Sequence, residues 1–464
     1  MMNAIKKGDR LTLDITELNN LGCGVAHAPD GRVLFVKGAV NGDVAEVEII
    51  KVNKSFLVAR LIRVVIPSLN RCGEEFCRAP LACGGCVYRH VSYASELEVK
   101  TSYVKNAFVK AGLAEVEVLP TLSTGRERGY RNKGQYPVAK TRDGIKAGFF
   151  ASKSHNIIPA DNCMLQNAAF ADIVRFVCSF ADENGWSVYD EESGKGLLRH
   201  IYLRIGERTG EIMLCLVVNG ESLPLSDAFV EGVRENFPAV VGLILSINKK
   251  NTNVVLGDRF ITLYGRNYIE DILCGLRFRI SPDAFYQVNR DGAELLYTLA
   301  AESAKLTGNE VLMDLYCGTG TIGLSMAKMA RKLCGVEIVE SSVRCARENA
   351  KRNGVDNAEF FCADAGNREV ILSAAGGVRP DVVVIDPPRK GSTKELVECL
   401  ASLEVPRIVY VSCDPDTLAR DCVWFKDAGY SIGKVQPVDM FPRTGHVESV
   451  VCLTRRLDNE LPLA

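Results

Sequence analysis

Val311-Leu312-Met313-Asp314-Leu315-Tyr316-Cys317-Gly318-Thr319-Gly320-Thr321-Ile322-Gly323 is the stretch that decides the fold. Val311 to Leu315 reads as a buried strand, the glycines let the chain turn sharply beside a ligand, and Ile322 to Met329 continues as a helix. The turn matches G-x-G-x-x-G, the pattern that opens a doubly wound sheet. The rhythm then repeats. Leu333 to Ile338 predicts a strand and Ser341 to Asn353 a helix, Phe360-Phe361 sits in a third strand, Val382 to Ile385 in a fourth and Ile408 to Val411 in a fifth. Strands alternating with helices predict a parallel sheet covered on both faces, which binds its ligand at the carboxyl ends of the strands.

Working outward, Leu11 to Ile15, Val33 to Val36, Val44 to Ile49 and Phe56 to Ile62 are short β-branched runs punctuated by Gly8-Asp9 and Asn41-Gly42-Asp43. They predict a small OB-like β barrel over residues 1–66. A cysteine-bearing segment follows, then a helix from Ser92 to Ala111. Residues 119–280 mix short strands such as Ile212 to Val218 with Gly and Pro breaks, a mixed α+β central domain that includes 67–94.

At 464 residues the chain exceeds one core, in keeping with three domains. The apolar fraction of 47%, charged fraction of 24% and net charge of -1 are those of a soluble globular protein and announce no polyanion partner, though a local basic face remains open. Seventeen cysteines, an odd number scattered singly, argue for a reducing compartment. Met1 to Arg10 holds no signal-peptide run and no stretch is apolar enough to span a membrane, so a cytoplasmic protein is expected.

The glycine loop alone does not separate NAD from S-adenosylmethionine. Glu337 ends the second strand, where a carboxylate accepts hydrogen bonds from ribose hydroxyls, and Asp364 follows the third, placed for an adenine edge. Singly, each is an ordinary polar strand end; with the loop they favour a nucleoside site. The fourth strand closes in Asp386-Pro387-Pro388-Arg389, whose last position lacks the aromatic ring of amine methyltransferases. The fifth ends in Ser412-Cys413-Asp414-Pro415, which sets Cys413 on the ligand edge. Carbon 5 of uracil is too poor a nucleophile to take a methyl group unaided; a thiolate added to carbon 6 makes it electron-rich, and a base must then remove the carbon 5 proton. Cys413 and Glu448 are the candidates. Taken alone, a cysteine is more often structural and Glu448 more often a paired surface carboxylate.

Phe285 to Asn289, Asp314 to Gly320, Asp386 to Arg389, Ser412 to Pro415 and His446-Val447-Glu448 together resemble the motif series of the RNA (uracil-5-)-methyltransferases. The resemblance implies a Rossmann-like catalytic domain over 281–464, joined by a helix near 95–118, behind a TRAM-like barrel. It implies that Gln287, Tyr316, Glu337, Asp364 and Asp386, with Thr321 a lesser candidate, line the S-adenosylmethionine site. Cys413 would be the nucleophile and Glu448 the base. Arg443 departs from a histidine common in relatives and puts a local RNA contact in doubt.

Cys77-x5-Cys83-x2-Cys86 and the distant Cys163 supply four thiols, enough for a tetrahedral zinc or a cubic iron–sulfur cluster, and spacing does not choose between them. In the ribosomal RNA branch of the resembled family this spacing carries a [4Fe-4S] cluster; Cys72 is a rival for one ligand. Arg126, Arg128, Arg131, Lys133, Lys140, Arg142, Lys146 and Lys153, interleaved with Tyr130, Tyr136, Phe149 and Phe150, suggest a single-stranded RNA surface. The expected partner is 23S rRNA, with no DNA and no membrane, and the protein is expected to act as a monomer. A transfer RNA uridine is the alternative substrate. An NAD-dependent oxidoreductase leaves Cys413 without a task, a cytosine-5 enzyme of RNA carries cysteine where Arg389 stands, and a non-catalytic RNA-binding module has no use for Cys413 with Glu448.

Overall fold

The computed structural model describes residues 5–72, 77, 79–80, 82–152 and 154–456. Lys153 of the basic run, and Phe76, Arg78 and Leu81 beside the cysteines, lie outside the described residues.

Six strands, Arg10–Asp14, Glu17–Leu18, Cys23–His27, Val33–Lys37, Val44–Val52 and Phe56–Ile66, form one sheet around Leu34, Val36, Val47, Ile49 and Leu57. Four of them follow from their β-branched runs. Cys23–His27 was not legible, because Gly24 reads as a strand breaker. In the folded chain a Cβ on Gly24 would stand 2.7 Å from Ile15 Cγ2, so this glycine answers a close approach inside the sheet.

The central sheet has seven strands in the order Arg259–Gly265, Val240–Ile247, Ile212–Val218, Leu198–Ile205, Lys133–Thr141, Gly144–Phe150 and Ile157–Pro159. Helices Ala169–Glu183 and Ser226–Asn236 pack on it. This corrects the reading of the basic run. Tyr136 is fully buried under helix Ala169–Glu183 and Phe149 packs on it at 5.2 Å between ring centres. Tyr130 is buried as well, its hydroxyl donating to the Pro442 carbonyl. Tyr136, Val138 and Lys140 share one face of the strand; helix Ala169–Glu183 covers the first two, while Lys140 lies at the exposed end and pairs with Asp182 of that helix. Of the cations, Arg126 pairs with Glu207 and Asp291, Lys140 pairs with Asp182, and Arg128, Arg142 and Lys146 are exposed.

In the C-terminal half β1 (Val311–Leu315), β2 (Lys332–Glu337), β3 (Ala358–Cys362), β4 (Val382–Ile385), β5 (Arg407–Ser412), β6 (Tyr430–Val438) and β7 (Glu448–Arg455) form one sheet in the order β3-β2-β1-β4-β5-β7-β6. The first five are parallel, and β7 runs antiparallel between β5 and β6. Strand order reverses between β1 and β4, which opens a crevice at their carboxyl ends. The helix after the Gly-rich turn is shorter than expected: Thr321–Met326 is α-helical and Ala327–Met329 finishes as a 3-10 turn.

Helix Tyr93–Lys110 starts at Ser92, whose side chain accepts from Ser95 N, and its Val104, Ala107 and Phe108 join the core of this sheet. It stops at Lys110 and does not run to 118. The following chain is extended, with Leu119 N donating to Val435 O and Leu122 N to Pro437 O. Among the described residues no helix is long and apolar enough to cross a membrane.

Candidate active site

A cleft of about 830 Å³ opens at the carboxyl ends of β1, β2, β4 and β5. Its wall includes Gln287, Tyr316, Glu337, Asp364, Asp386, Cys413 and Glu448. Thr321 lies outside that lining; it is buried and its hydroxyl meets the Tyr297 hydroxyl at 3.0 Å.

The donor end is built from backbone. Tyr316 (φ 65°), Gly318 (φ 54°) and Gly320 (φ 82°) take the left-handed conformation in succession along the turn after β1. For Tyr316 that is a strained state, of the kind held in place at ligand sites. Glu337 keeps the turn in position: Oε2 accepts from Gly318 N at 3.1 Å and Oε1 from Val339 N at 2.9 Å. Asp314, 1% exposed, accepts from Gly323 N at 2.8 Å beneath the loop. Burial pushes its carboxyl up to about 7, with Asp386 and Glu337 adding to the rise. Asp364 is exposed at the rim of the cleft and accepts from Gly366 N through Oδ1.

Strand pairing brings the reactive candidates together. The β5–β7 ladder ends with Ser412 opposite Ser449; Cys413 in the bend after β5 and Glu448 at the start of β7 both line the cleft, near enough for the carboxyl to raise the thiol. Asp414 caps helix Pro415–Asp427 by accepting from Thr417 N at 3.0 Å, and Pro415 occupies its first turn. Cys413 therefore sits just ahead of a helix N-terminus, where a thiolate is favoured. Against that, burial pushes the thiol up to about 11, with Glu448 and Asp386 adding and Arg389 opposing. Glu448 is 5% exposed, and burial raises its carboxyl to about 8, Asp386 adding and Arg389 again opposing. This answers the surface reading of Glu448: it is a buried cleft carboxyl. Asp386 likewise is raised to about 7 by burial.

Four further cleft residues were not singled out in the sequence: Phe285, Arg389, Phe441 and His446. Phe285 is 66% exposed in spite of its ring, and Phe441 meets His446 edge to face at 6.0 Å. For Phe285, Arg389 and His446 the signal was present, since each lies inside a motif already quoted, but nothing in spacing says which motif side chains turn inward, and Phe441 lies outside those motifs. Arg443 turns away from the cleft and is buried between Glu96, Glu127 and the Val91 carbonyl, so no RNA contact falls to its side chain.

Cys77, Cys83, Cys86 and Cys163 line a second cavity of about 280 Å³, shared with Arg89, Arg131 and Lys133. Cys72 is not part of that lining. Among the described residues, no three His, Cys, Asp or Glu side chains stand close enough to share one metal ion.

Comparison with known proteins agrees with this geometry. The tRNA (Uracil-5-)-methyltransferase family pattern matches residues 261–456, and the TRAM domain pattern matches residues 5–62. An uncharacterized RNA methyltransferase of Caldanaerobacter subterraneus subsp. tengcongensis is 41% identical over 454 residues, spanning 98% of this chain and 100% of the relative. Another from Halalkalibacterium halodurans is 40% identical, spanning 97% and 98%. Among solved structures, the Pyrococcus abyssi tRNA (uracil-54, C5)-methyltransferase in complex with S-adenosyl-L-homocysteine is similar at TM-score 0.76 and 29% identity, covering 96% of this chain and 99% of that one. With Cys413 and Glu448 both on the wall of such a cleft, the chain belongs to the RNA (uracil-5-)-methyltransferase family and carries a TRAM domain ahead of its catalytic half.

Proposed function

We propose that the protein methylates carbon 5 of a uridine in 23S ribosomal RNA, using S-adenosylmethionine and a covalent adduct between Cys413 and the uracil ring. The observation that carries this reading is that the ends of β5 and β7 bring a thiol and a buried carboxyl onto the wall of one nucleoside-sized cleft. Cys413, as the thiolate, adds through Sγ to carbon 6, and the pair of the carbon 5–carbon 6 π bond moves onto carbon 5 and the neighbouring carbon 4 carbonyl. Carbon 5 then takes the methyl group from the donor's sulfonium. Glu448, ionised, removes the proton left on carbon 5, and the carbon 6–sulfur bond breaks. Arg389 is the cation that offsets the carboxyl groups around both Cys413 and Glu448. Glu337 and the Tyr316–Gly320 turn hold the donor's nucleoside, with Asp364 and Gln287 at its edges. The uridine leaves its stack to reach Cys413, as base-modifying enzymes require.

The likeness of the cysteine pattern to the ribosomal branch supports 23S rRNA; the likeness to the Pyrococcus abyssi enzyme supports a transfer RNA uridine as the second reading. Mapping 5-methyluridine in both RNA classes from a strain lacking the gene separates them. The expected result is loss from 23S rRNA with transfer RNA unchanged, and the reverse pattern moves the assignment to transfer RNA.

We further propose that Cys77, Cys83, Cys86 and Cys163 hold a [4Fe-4S] cluster. The four thiols line one cavity. The buried Tyr136 hydroxyl, near Cys163, has no hydrogen-bond partner, and Arg89, Arg131 and Lys133 line the cavity as counter-charges for an anionic thiolate cluster. The group would tie the Cys83–Cys86 loop to the Cys163 segment; the methyl transfer has no redox step for it to serve. Cys163→Ser is expected to abolish iron and sulfide content in anaerobically purified protein and to lower the melting temperature by roughly 5 °C or more. One zinc per chain and no iron in the wild type would overturn the cluster.

A further inference from the structure

We propose that Arg443 is a positioning residue for methyl transfer: it locks the strap 439–446, which carries Phe441 and His446 into the cleft, against the stretch 87–96 that follows the cysteines and against Glu127.

The strap joins β6 to β7 and delivers Glu448 at its end. Arg443 is its pivot. The backbone there is left-handed (φ 71°), a state that a non-glycine residue holds only when its surroundings impose it. Those surroundings are unusually complete. Arg443 N donates to Glu96 Oε1 at 2.7 Å, and its carbonyl accepts from Val87 N at 2.9 Å and Tyr88 N at 3.2 Å. The guanidinium, 3% exposed, donates to the Val91 carbonyl at 2.7 Å, pairs with Glu127 and lies over the Tyr93 ring at 5.5 Å.

Its partners come from the stretch Val87 to Glu96 and from Glu127, and the strap's other residues reach further. Val87 directly follows Cys86, and Thr444, next to Arg443, lines the cysteine cavity. Glu96 lies on helix Tyr93–Lys110, where Lys100 bridges it to Asp439 at the strap's start, with Nζ at 2.8 and 2.7 Å from the two carboxylates. On the other side, a Cβ on Gly445 would stand 2.0 Å from the Asn20 carbonyl, so the barrel's turn rests directly on the strap. Three bodies meet on eight residues, and the cleft wall is the remaining face of the same strap.

A buried arginine held by residues 87–96 on one side and by Glu127 on the other resists displacement, because moving either leaves a charge or a carbonyl unpaired. Phe441 and His446 stand two and three residues from it on either side, too close to shift independently. The donor end does not touch Arg443; it is built from the turns after β1, β2 and β4. The inference therefore separates two quantities. Loss of Arg443 should harm the handling of RNA while leaving the donor's nucleoside bound as before.

The test uses the full chain, labelled S-adenosylmethionine and total RNA from a strain lacking the gene. Arg443→Ala is expected to lower kcat/KM for RNA by roughly 30-fold or more, since small misplacements of reacting groups are costly. S-adenosylhomocysteine affinity, measured by calorimetry, stays within about twofold because the two sites act independently. Arg443→Lys, which reaches one of the two side-chain acceptors, recovers part of the loss. An Arg443→Ala enzyme within about twofold of the wild type in kcat/KM overturns the proposal, and so does a parallel loss of S-adenosylhomocysteine affinity. Should that variant fail to fold, Glu127→Gln removes a single partner near the surface: a fall of about threefold or more with donor affinity unchanged supports the positioning role, and unchanged kinetics overturn it.

Discussion

Replacing Cys413 by serine is expected to lower methyl transfer by roughly four orders of magnitude or more, with the fold intact. Serine fits the site: it is nearly isosteric, and the turn is held by its neighbours, Asp414 N donating to Ser412 Oγ at 3.2 Å and Asp414 capping the next helix. What serine lacks is an accessible anion. The Cys413 thiol is already raised to about 11 by burial and by two carboxyl groups, so even the sulfur needs Arg389 and the helix N-terminus to ionise. A hydroxyl is far harder to ionise and far less nucleophilic toward carbon 6. Single-turnover transfer from labelled donor gives the rate, and RNA containing 5-fluorouridine reports the adduct. Fluorine cannot leave as a proton does, so the wild type should form a complex that survives denaturing electrophoresis and the serine variant none. Retention of more than about 1% of the wild-type rate would remove the covalent route, because general positioning alone cannot make carbon 5 nucleophilic.

Most of the parallel sheet was legible because its strands are uniformly apolar and short: Val311–Leu315 and Val382–Ile385 fall where the runs of Val, Ile and Leu begin and end. The antiparallel pair β6 and β7 was not. Tyr430–Val438 carries Ser431, Gly433, Lys434 and Gln436 among its apolar residues, so its alternation is broken, and a register shift between Ile432 and Val435 breaks it again in the structure. That gap hid the fact that matters most at the site. Sequence motifs could name Cys413 and Glu448 separately, but their meeting on one cleft wall depends on β7 entering between β5 and β6, a long-range pairing that no local pattern encodes. The basic run failed in the opposite way. Its composition suits RNA, yet Tyr136 is core beneath the apolar helix Ala169–Glu183 and Tyr130 is buried against Leu165, and burial of a large ring prevails over any surface role. Arg443 was ambiguous for the same reason: only the tertiary structure shows that its charge is met from within.

Glu448→Gln is expected to leave the first half of the reaction running and to stop the second. Glutamine keeps the shape of the buried side chain but accepts no proton from carbon 5, so turnover should fall by roughly 10²- to 10⁴-fold. Addition of Cys413 and transfer of the methyl group precede that step. The variant should therefore incorporate about one methyl per enzyme and accumulate RNA that is both methylated and covalently attached, visible as labelled complex on a denaturing gel. Turnover within about tenfold of the wild type, or loss of activity with no trapped complex, would assign the base to another residue. The pH dependence provides an independent check. The Glu448 carboxyl lies near 8 in the folded protein against an ordinary 4.5, so the wild-type release step should speed up as pH rises toward 8 and level off above it, while the variant shows no such rise. Stability has the opposite sign. Between 4.5 and about 8 the folded chain keeps a proton that the unfolded chain has released, so this group stabilises fully below 4.5 and its contribution is lost as pH climbs through that window. Glutamine has no proton to lose, so the variant's melting temperature should gain on the wild type's from pH 5 to pH 9, the range over which a buried carboxylate becomes costly.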